Sequence, residues 1–139
     1  MAALTLELNV VTPEKPIVSG INAEAIVLPG AMGQLTILPG HINFLTSLRL
    51  GTFGYKVNDQ WEIAFLTGGF AQVVSGKITV LAETMEMSQE LNLAEAELGL
   101  QDAIEKLKSI KPSSAEYAEM SAQKEFAAAR VRAAKNKLH

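Results

Sequence analysis

Side chains that could carry out catalysis are scarce in this chain. It has two histidines, His41 and His139, and no cysteine. Nucleophilic catalysis needs a hydroxyl or thiol beside a base, and a histidine in a Pro-Gly-His turn more often binds a backbone carbonyl. No residues show the spacing of metal ligands. We therefore expect no catalytic residue, no metal and no cofactor, and a protein that is not an enzyme.

Two glycine-rich segments could bring backbone amides close to a phosphate. They are Pro29-Gly-Ala-Met-Gly33 and Gly68-Gly69. The lysine followed by serine or threonine that completes a phosphate-binding loop is missing, and no strand-helix-strand pattern surrounds either segment. We therefore do not expect a phosphate-binding site at either segment.

The overall composition excludes further classes of function. The chain has 139 residues, 48% of them hydrophobic, and a formal net charge of −3. A nucleic-acid binder needs a basic surface and a disulfide scaffold needs cysteine, so we expect neither. The first residues show no basic segment followed by an apolar one, and no apolar run reaches about 18 residues. We expect no signal peptide and no direct span of the bilayer.

The composition changes near residue 88. Nine of the ten glycines precede Ser88, whereas eleven alanines follow Gln89. Glycine, proline and aromatic residues are typical of strands and turns, and alanine with charged residues is typical of helices. We therefore predict an α+β chain with a β-sandwich domain at 1–87 and a helical hairpin at 88–139.

Short strands are indicated throughout the first domain. Every second residue from Leu4 to Val10 is apolar, which places these side chains on one buried face. The pairs Asn58-Asp59 and Ser75-Gly76 separate β-rich runs and predict tight hairpins. Further strands are predicted at 25–28, 34–38, 52–57, 61–66, 70–74 and 77–82. This many short strands without an intervening helix indicate an antiparallel β-sandwich or flattened barrel.

The second domain has the period of amphipathic helices. Helices are predicted at about 92–110 and 114–137, with Asn92 and Ser114 as N-caps. The two stripes are Leu93, Ala96, Leu100, Ala103, Leu107 and Ile110, and then Tyr117, Met120, Lys124, Ala127, Val131, Ala134 and Leu138. We expect an antiparallel hairpin that sets the acidic first helix beside the basic end of the second.

The predicted seam between these helices is rich in alanine. At roughly 25 cal/mol per Å² of buried apolar area, small side chains hold two helices together only loosely. We therefore expect the hairpin to lean on the sandwich or on a partner and to change position.

Several motifs in register resemble one protein family. They are Leu28-Pro-Gly-Ala-Met-Gly-Gln-Leu-Thr-Ile-Leu-Pro-Gly-His41, Thr67-Gly-Gly-Phe-Ala-Gln-Val73, Ile78-Thr-Val-Leu-Ala82 and Leu8-Asn-Val-Val-Thr-Pro13. Together with the order of sandwich and hairpin, they make essentially the whole chain similar to the epsilon subunit of the F-type ATP synthase.

This resemblance implies a central-stalk subunit of a proton-translocating rotor. In the family, the sandwich couples rotation between the gamma subunit and the membrane c-ring. The helices lie beside the sandwich or extend along gamma toward the alpha and beta catalytic subunits, where they inhibit ATP hydrolysis. The resemblance implies a peripheral position on the cytoplasmic face of a bacterial plasma membrane or on the stromal face of a thylakoid. We expect no mitochondrial transit peptide.

The resemblance also assigns two sets of site residues. The turns that match the membrane-ring-facing segments contain Pro29, Gly30, Ala31, Met32, Gly33, Pro39, Gly40 and His41. The basic residues that match the inhibitory helix are Lys124, Arg130, Arg132 and Lys135. In the extended state these cations would meet acidic positions of the catalytic subunits through salt-sensitive contacts.

One segment departs from the family pattern. Members that bind ATP have Ile-Asp-x-x-Arg-Ala at the start of the first helix, whereas residues 91–96 read Leu-Asn-Leu-Ala-Glu-Ala. Asn92 replaces the aspartate, and Glu95 places a carboxylate where the family has a cation. We expect weak or no nucleotide binding.

A hypothesis from another class stays open at this point. The same pattern fits a free-standing β-sandwich that binds a carbohydrate or a peptide and oligomerises through a coiled-coil tail. Stoichiometric co-purification with gamma is required by the rotor hypothesis and not by this alternative.

Overall fold

A computed structural model describes residues 4–40 and 43–137 of the chain. The expectations for His41, Leu138 and His139 lie outside the described residues. The strands are β1 Leu6–Val11, β2 Pro16–Ala23, β3 Ala25–Gly30, β4 Gly33–Ile37, β5 Phe44–Leu48, β6 Gly51–Val57, β7 Gln60–Leu66, β8 Gly69–Val74, β9 Lys77–Ala82 and β10 Met85–Met87. A short 3₁₀ turn at Ser88–Glu90 leads into helices α1 Leu93–Lys108 and α2 Ala115–Ala134.

The ten strands form one sheet that folds over on itself. Their order is β10-β7-β6-β3-β5-β8-β9-β1-β2, with β4 paired to β3. Strands from distant parts of this order share a single core, in which Leu8 of β1 and Ile78 of β9 pack with Phe53 of β6. The predicted sandwich or flattened barrel is confirmed.

One strand pair differs in direction from the others. β1 runs parallel to β9, whereas the other described pairs are antiparallel. A tight turn forces two strands to be antiparallel, but β1 and β9 are joined through most of the domain, so no turn sets their direction.

The alternation predicted for the first strand is confirmed from Leu6 onward. Leu6, Leu8 and Val10 are fully buried. The placement of Leu4 on the buried face is wrong, because its side chain is 79% exposed. The strand pairing begins at Leu6, opposite Ala23, so no neighbouring strand covers Leu4.

The two predicted hairpin turns are present. Asn58 and Asp59 both have positive φ, 51° and 65°, between the paired strands β6 and β7. Ser75 and Gly76 have φ of 49° and 77° between β8 and β9. Two successive positive φ values are the geometry that joins twisted antiparallel strands with a two-residue loop.

Both predicted N-caps form. The Asn92 side-chain oxygen accepts a hydrogen bond from the Glu95 backbone N–H at 3.0 Å, and the Ser114 hydroxyl accepts one from Glu116 N–H at 3.1 Å. The helices are shorter than the 92–110 and 114–137 predicted. α2 ends early because Asn136 turns to a φ of 62°, and Lys137 N–H donates to Arg132 O at 2.9 Å. This pattern is a Schellman cap, which terminates a helix.

Helix α2 lies between the sheet and α1. It contacts β6 and β7 on one side and α1 on the other. Ala129 and Ala133, four residues apart, are fully buried and pack against Phe65 of β7. Neither alanine belongs to the predicted stripe, whose Lys124 is exposed. The prediction of one buried face on this helix is wrong, because α2 has two packed faces.

Candidate functional site

The β3–β4 turn presents an exposed apolar tip. Gly30 ends β3 opposite Gly33 at the start of β4, and Ala31 and Met32 form the turn between them. The Met32 side chain is 100% exposed. Gly33 has a φ of +132°, a conformation that other residues rarely adopt. The tip of this turn therefore presents a whole methionine side chain to solvent.

The neighbouring β5–β6 segment holds this turn in place. Ala31 N–H donates to Ser47 O at 3.0 Å, and Arg49 N–H donates to Pro29 O at 2.9 Å. A Cβ added at Gly30 would lie 2.8 Å from Gly33 O, so the two strands approach more closely than a side chain permits. The turn is therefore a fixed platform for Met32.

The second predicted turn lies at the other end of β4. Gly40 is exposed, with a φ of +84°, and Pro39 is half-buried beside it. A strand of the length of β4, at about 3.3 Å per residue, separates these residues from Met32. The structure therefore does not bring the two sets of predicted ring-facing residues into one cluster.

Exposed apolar side chains lie on the outer side of strands β1, β5, β8 and β9, among polar residues such as Gln72 and Lys77. On this side, Phe70 stands opposite Leu81, which in turn stands opposite Val11. Directly opposite residues have Cβ atoms about 5 Å apart, so these three side chains form a continuous row. The exposed side chains that we call the apolar face are Val11, Leu45, Phe70, Val74 and Leu81. Outward positions of a solvated sheet are normally polar, so this face is suited to contact with another protein.

The four predicted cations of α2 do not share one surface. Lys124 is exposed, whereas Arg130 Nη2 lies 3.2 Å from Glu86 Oε2 of β10. Lys135 Nζ lies 4.0 Å from Glu97 Oε1 of α1. This last pair is of the predicted kind, an acid of the first helix beside a base of the second. Other acids of α1, Asp102 and Glu105, pair with lysines of their own helix.

One cleft is lined both by a residue predicted to act in inhibition and by residues predicted to face the membrane ring. Arg132 of α2 lines a cavity of about 390 Å³ together with Gly30 and Gly33 of the exposed turn. Arg49 and Glu125 line the same cavity, and Arg49 Nη2 lies 2.9 Å from Glu125 Oε1. Arg49 thus contacts Pro29 through its backbone and α2 through its side chain.

A second cleft lies along the junction of the two helices. It has a volume of about 660 Å³, and its lining includes Gly99 of α1 with Phe126 and Arg130 of α2. Asn92 and Glu95 are not among its lining residues, and the Asn92 side chain is engaged in capping α1. Among residues 4–40 and 43–137, no three His, Asp or Glu side chains are grouped to hold a metal ion.

The residues that attach α2 to the sandwich were missed by the sequence reasoning. They are Arg49, Phe65, Glu86, Glu125 and Phe126. Phe65 and Phe126 meet edge to face, with ring centroids 5.1 Å apart. A signal was present: Ala122, Phe126, Ala129 and Ala133 recur at helical spacing and form a second stripe on α2.

Comparison with known families finds a match that covers the sheet. The family model described as "ATP synthase, Delta/Epsilon chain, beta-sandwich domain" matches residues 5–88. The ATP synthase epsilon chain of Prochlorococcus marinus (strain MIT 9301) is 36% identical over 135 residues, which cover 96% of this chain and 100% of the relative. The ATP synthase epsilon chain of Geobacter sulfurreducens is 38% identical over 129 residues, 93% of each chain.

Solved structures share the fold at low sequence identity. A chain of the Euglena gracilis mitochondrial ATP synthase (OSCP/F1/c-ring, rotational state 1) superposes with a TM-score of 0.78 at 20% identity, covering 100% of this chain and 84% of that one. A chain of the Tetrahymena thermophila mitochondrial ATP synthase (central stalk/c-ring) gives a TM-score of 0.61 at 15% identity, covering 98% of each. Within the described residues, no helix combines the length and apolarity needed to cross a membrane.

Proposed function

Because the chain belongs to the family of ATP synthase epsilon chains, we propose that it is a non-catalytic subunit of the central stalk of a proton-translocating ATP synthase. It joins the gamma subunit to the membrane c-ring and inhibits ATP hydrolysis with its C-terminal helices. One structural contrast carries this proposal. The sandwich has a well-packed core and two exposed apolar surfaces, the apolar face and the β3–β4 turn, whereas few large side chains attach the helical hairpin to it.

We assign the apolar face to contact with gamma. Phe70 and Leu81 stand side by side on β8 and β9, with 55% and 53% of their surfaces exposed. Because about half of each side chain is already covered, burying the rest in a protein interface is worth roughly 0.8–1.5 kcal/mol each. A subunit that transmits torque needs an interface of this apolar kind, since surface charge pairs alone contribute little.

Substitution on this face provides a test with a matched control. Phe70→Asp should lower recovery of gamma with the tagged chain by tenfold or more, because it places a charge in the buried interface. Leu98→Asp is the control, since Leu98 is 70% exposed on α1, away from the face. Equal recovery of gamma with both variants would contradict the assignment.

We assign the β3–β4 turn to the c-ring. Met32 is flexible, apolar and fully exposed on a turn that the β5–β6 segment fixes. A methionine adapts its shape to an uneven partner surface. The exposed turn at Gly40 lies at the far end of β4. We assign it a second, separate contact with the c-ring. Such a position places the protein at a membrane surface, on the cytoplasmic face in bacteria or the stromal face of thylakoids.

The inhibitory role is assigned to α2. In the extended state, Lys124, Arg130, Arg132 and Lys135 would face acidic surfaces of the alpha and beta subunits. Helix α2 has a small apolar contact with the sandwich, so its release exposes few large side chains. The mechanism is a population shift between the docked and the extended hairpin, each stabilised by different contacts.

Removal of the hairpin tests this role. A chain ending at residue 88 keeps the whole sheet and should assemble normally, while ATP hydrolysis by the assembled complex rises severalfold. The purified complex with the full-length chain serves as the reference. Unchanged hydrolysis in a complex that contains the shortened chain would exclude the inhibitory role and leave the structural role intact.

A further inference from the structure

Two ion pairs fasten α2 to the sandwich on either side of its apolar contact. Arg49, between β5 and β6, meets Glu125 with Nη2 and Oε1 2.9 Å apart. Glu86 of β10 meets Arg130 with Oε2 and Nη2 3.2 Å apart. Between them, Phe65 contacts Phe126 and the small faces of Ala129 and Ala133. We call the two ion pairs the clasp.

The charges of the clasp are crossed. At Glu125 the helix supplies the acid and the sheet supplies the base, whereas at Arg130 the helix supplies the base and the sheet supplies the acid. If α2 moved along the sheet by about one turn, both pairs would lose their short contacts. The two pairs together therefore favour a single docking position of α2.

The position of Glu86 ties the clasp to the apolar contact. Glu86 of β10 is the direct partner of Phe65 on β7 in the sheet pairing. Its ion pair is the less exposed of the two, with side-chain exposures of 32% for Arg130 and 41% for Glu86, against 53% and 56% for Arg49 and Glu125. Partial burial reduces solvent screening, so the Arg130–Glu86 pair should be the stronger.

We propose that the clasp sets how often the hairpin leaves the sandwich, and that Glu86 competes for Arg130 with the acidic surface that binds α2 in its extended state. The second half of this inference rests on the proposed inhibitory function. While docked, Arg130 is half-buried against Glu86 and is withheld from other carboxylates. Release frees Arg130, and it also frees Glu125, whose charge opposes an acidic partner.

The sheet-side members of the clasp offer the cleanest test. Glu86→Gln and Arg49→Gln weaken docking without changing any residue of α2, so contacts of the extended helix stay intact. In the isolated full-length chain, hydrogen exchange of α2 amides should become about two- to fivefold faster in each variant, the range expected for one exposed ion pair. Amides of β6 and β7 should exchange at the wild-type rate.

Controls separate the clasp from a general effect of charge. Lys77→Gln removes a comparable ion pair, in which Lys77 Nζ lies 3.4 Å from Glu7 Oε2 on the strands away from α2, and should leave α2 exchange unchanged. Exchanging the charges, Arg49→Glu with Glu125→Arg, should restore slow exchange. Wild-type exchange rates of α2 in both glutamine variants would overturn the proposal.

The same variants in the assembled complex distinguish this inference from the proposed function. Glu86→Gln should lower ATP hydrolysis about two- to fivefold, because the released hairpin occupies its inhibitory position more often. Faster exchange of α2 without any fall in hydrolysis would support the clasp in the docked state and overturn both the competition for Arg130 and the inhibitory function.

Discussion

The sandwich and the helical hairpin differ in the size of the side chains that are buried inside each of them. The sandwich core is filled by fully buried large residues, among them Phe53, Leu8, Leu28 and Ile78. In the hairpin up to residue 137, where the structure describes it, the buried residues are four alanines and one valine, Ala96, Ala103, Ala129, Val131 and Ala133. A buried leucine or phenylalanine contributes roughly 1.5–3 kcal/mol, and an alanine methyl group only about 0.8.

This difference shows that one small chain can contain both a tightly packed part and a loosely packed part. Large interdigitating side chains permit one arrangement and make any opening costly. Small side chains allow helices to approach closely, yet little apolar surface becomes exposed when they separate. We therefore expect the sandwich to keep one arrangement, and we expect the hairpin to be displaced from its position by modest forces.

The largest expected difference between the two regions concerns two phenylalanines. Phe53→Ala in the sandwich core should lower the free energy of unfolding by about 3–5 kcal/mol, because it leaves a cavity among rigid neighbours. Phe126→Ala in α2 should cost only about 1–2 kcal/mol, since Phe126 is already 38% exposed. Urea titration followed by circular dichroism of the sheet measures both. Similar losses in the two variants would show that the hairpin is as firmly packed as the sandwich.

Two glycines of the sandwich give the next largest difference. Gly69 has a φ of +140°, and a Cβ there would collide with Leu81 O of the neighbouring strand. Gly69→Ala should therefore cost about 3 kcal/mol or more, from strain and collision together. Gly33 has a φ of +132° with open space around it, so Gly33→Ala should cost only the strain, about 1–2 kcal/mol. Melting temperatures of the two variants measure this difference, and equal values would contradict it.

The smallest effect is a pH dependence within the sandwich. Burial, with a further contribution from the Glu62 carboxylate opposite it, raises the pKa of Tyr55 above 10.0. The folded state then holds this proton more tightly than the unfolded state. Stability from Tyr55 is therefore complete below about pH 10 and is lost as the pH rises through the pKa of the folded state.

Tyr55→Phe tests that dependence. The variant should lose less stability than the wild type between about pH 9 and 11, since phenylalanine has no proton to release. Parallel curves for the wild type and Tyr55→Phe would contradict the assignment.

The sheet was predictable wherever strand periodicity and turn chemistry agreed. β1, β6, β7, β8 and β9 follow runs with clear alternation or clear turn residues such as Asn58-Asp59. β2 was not predicted, because Ser19, Gly20 and Asn22 interrupt its apolar residues and its pairing to β1 contains irregularities. β5 was missed because its apolar Leu45 lies on the outer face, which disturbs the alternation. β10 was missed because it has only three residues.

The candidate site was only partly predictable for a related reason. The exposed Met32 follows from its place in a turn, and turns lie at the surface. The clasp joins residues separated by 76 and 44 positions, so no local pattern identifies its partners. The second face of α2 was hidden because alanine fits either a solvent-exposed or a buried helix position.

The central claim is that the hairpin leaves a sandwich that stays folded. Since the chain has no cysteine, one pair of spin labels can be placed at Gln60→Cys on β7 and Ala118→Cys on α2, both exposed positions. The distance between the labels should form one short population in the isolated protein. In the assembled ATP synthase we predict a second population longer by on the order of 20 Å, as expected for a helix of this length moving away. A single short distance in the complex, even with Glu86→Gln, would contradict the account.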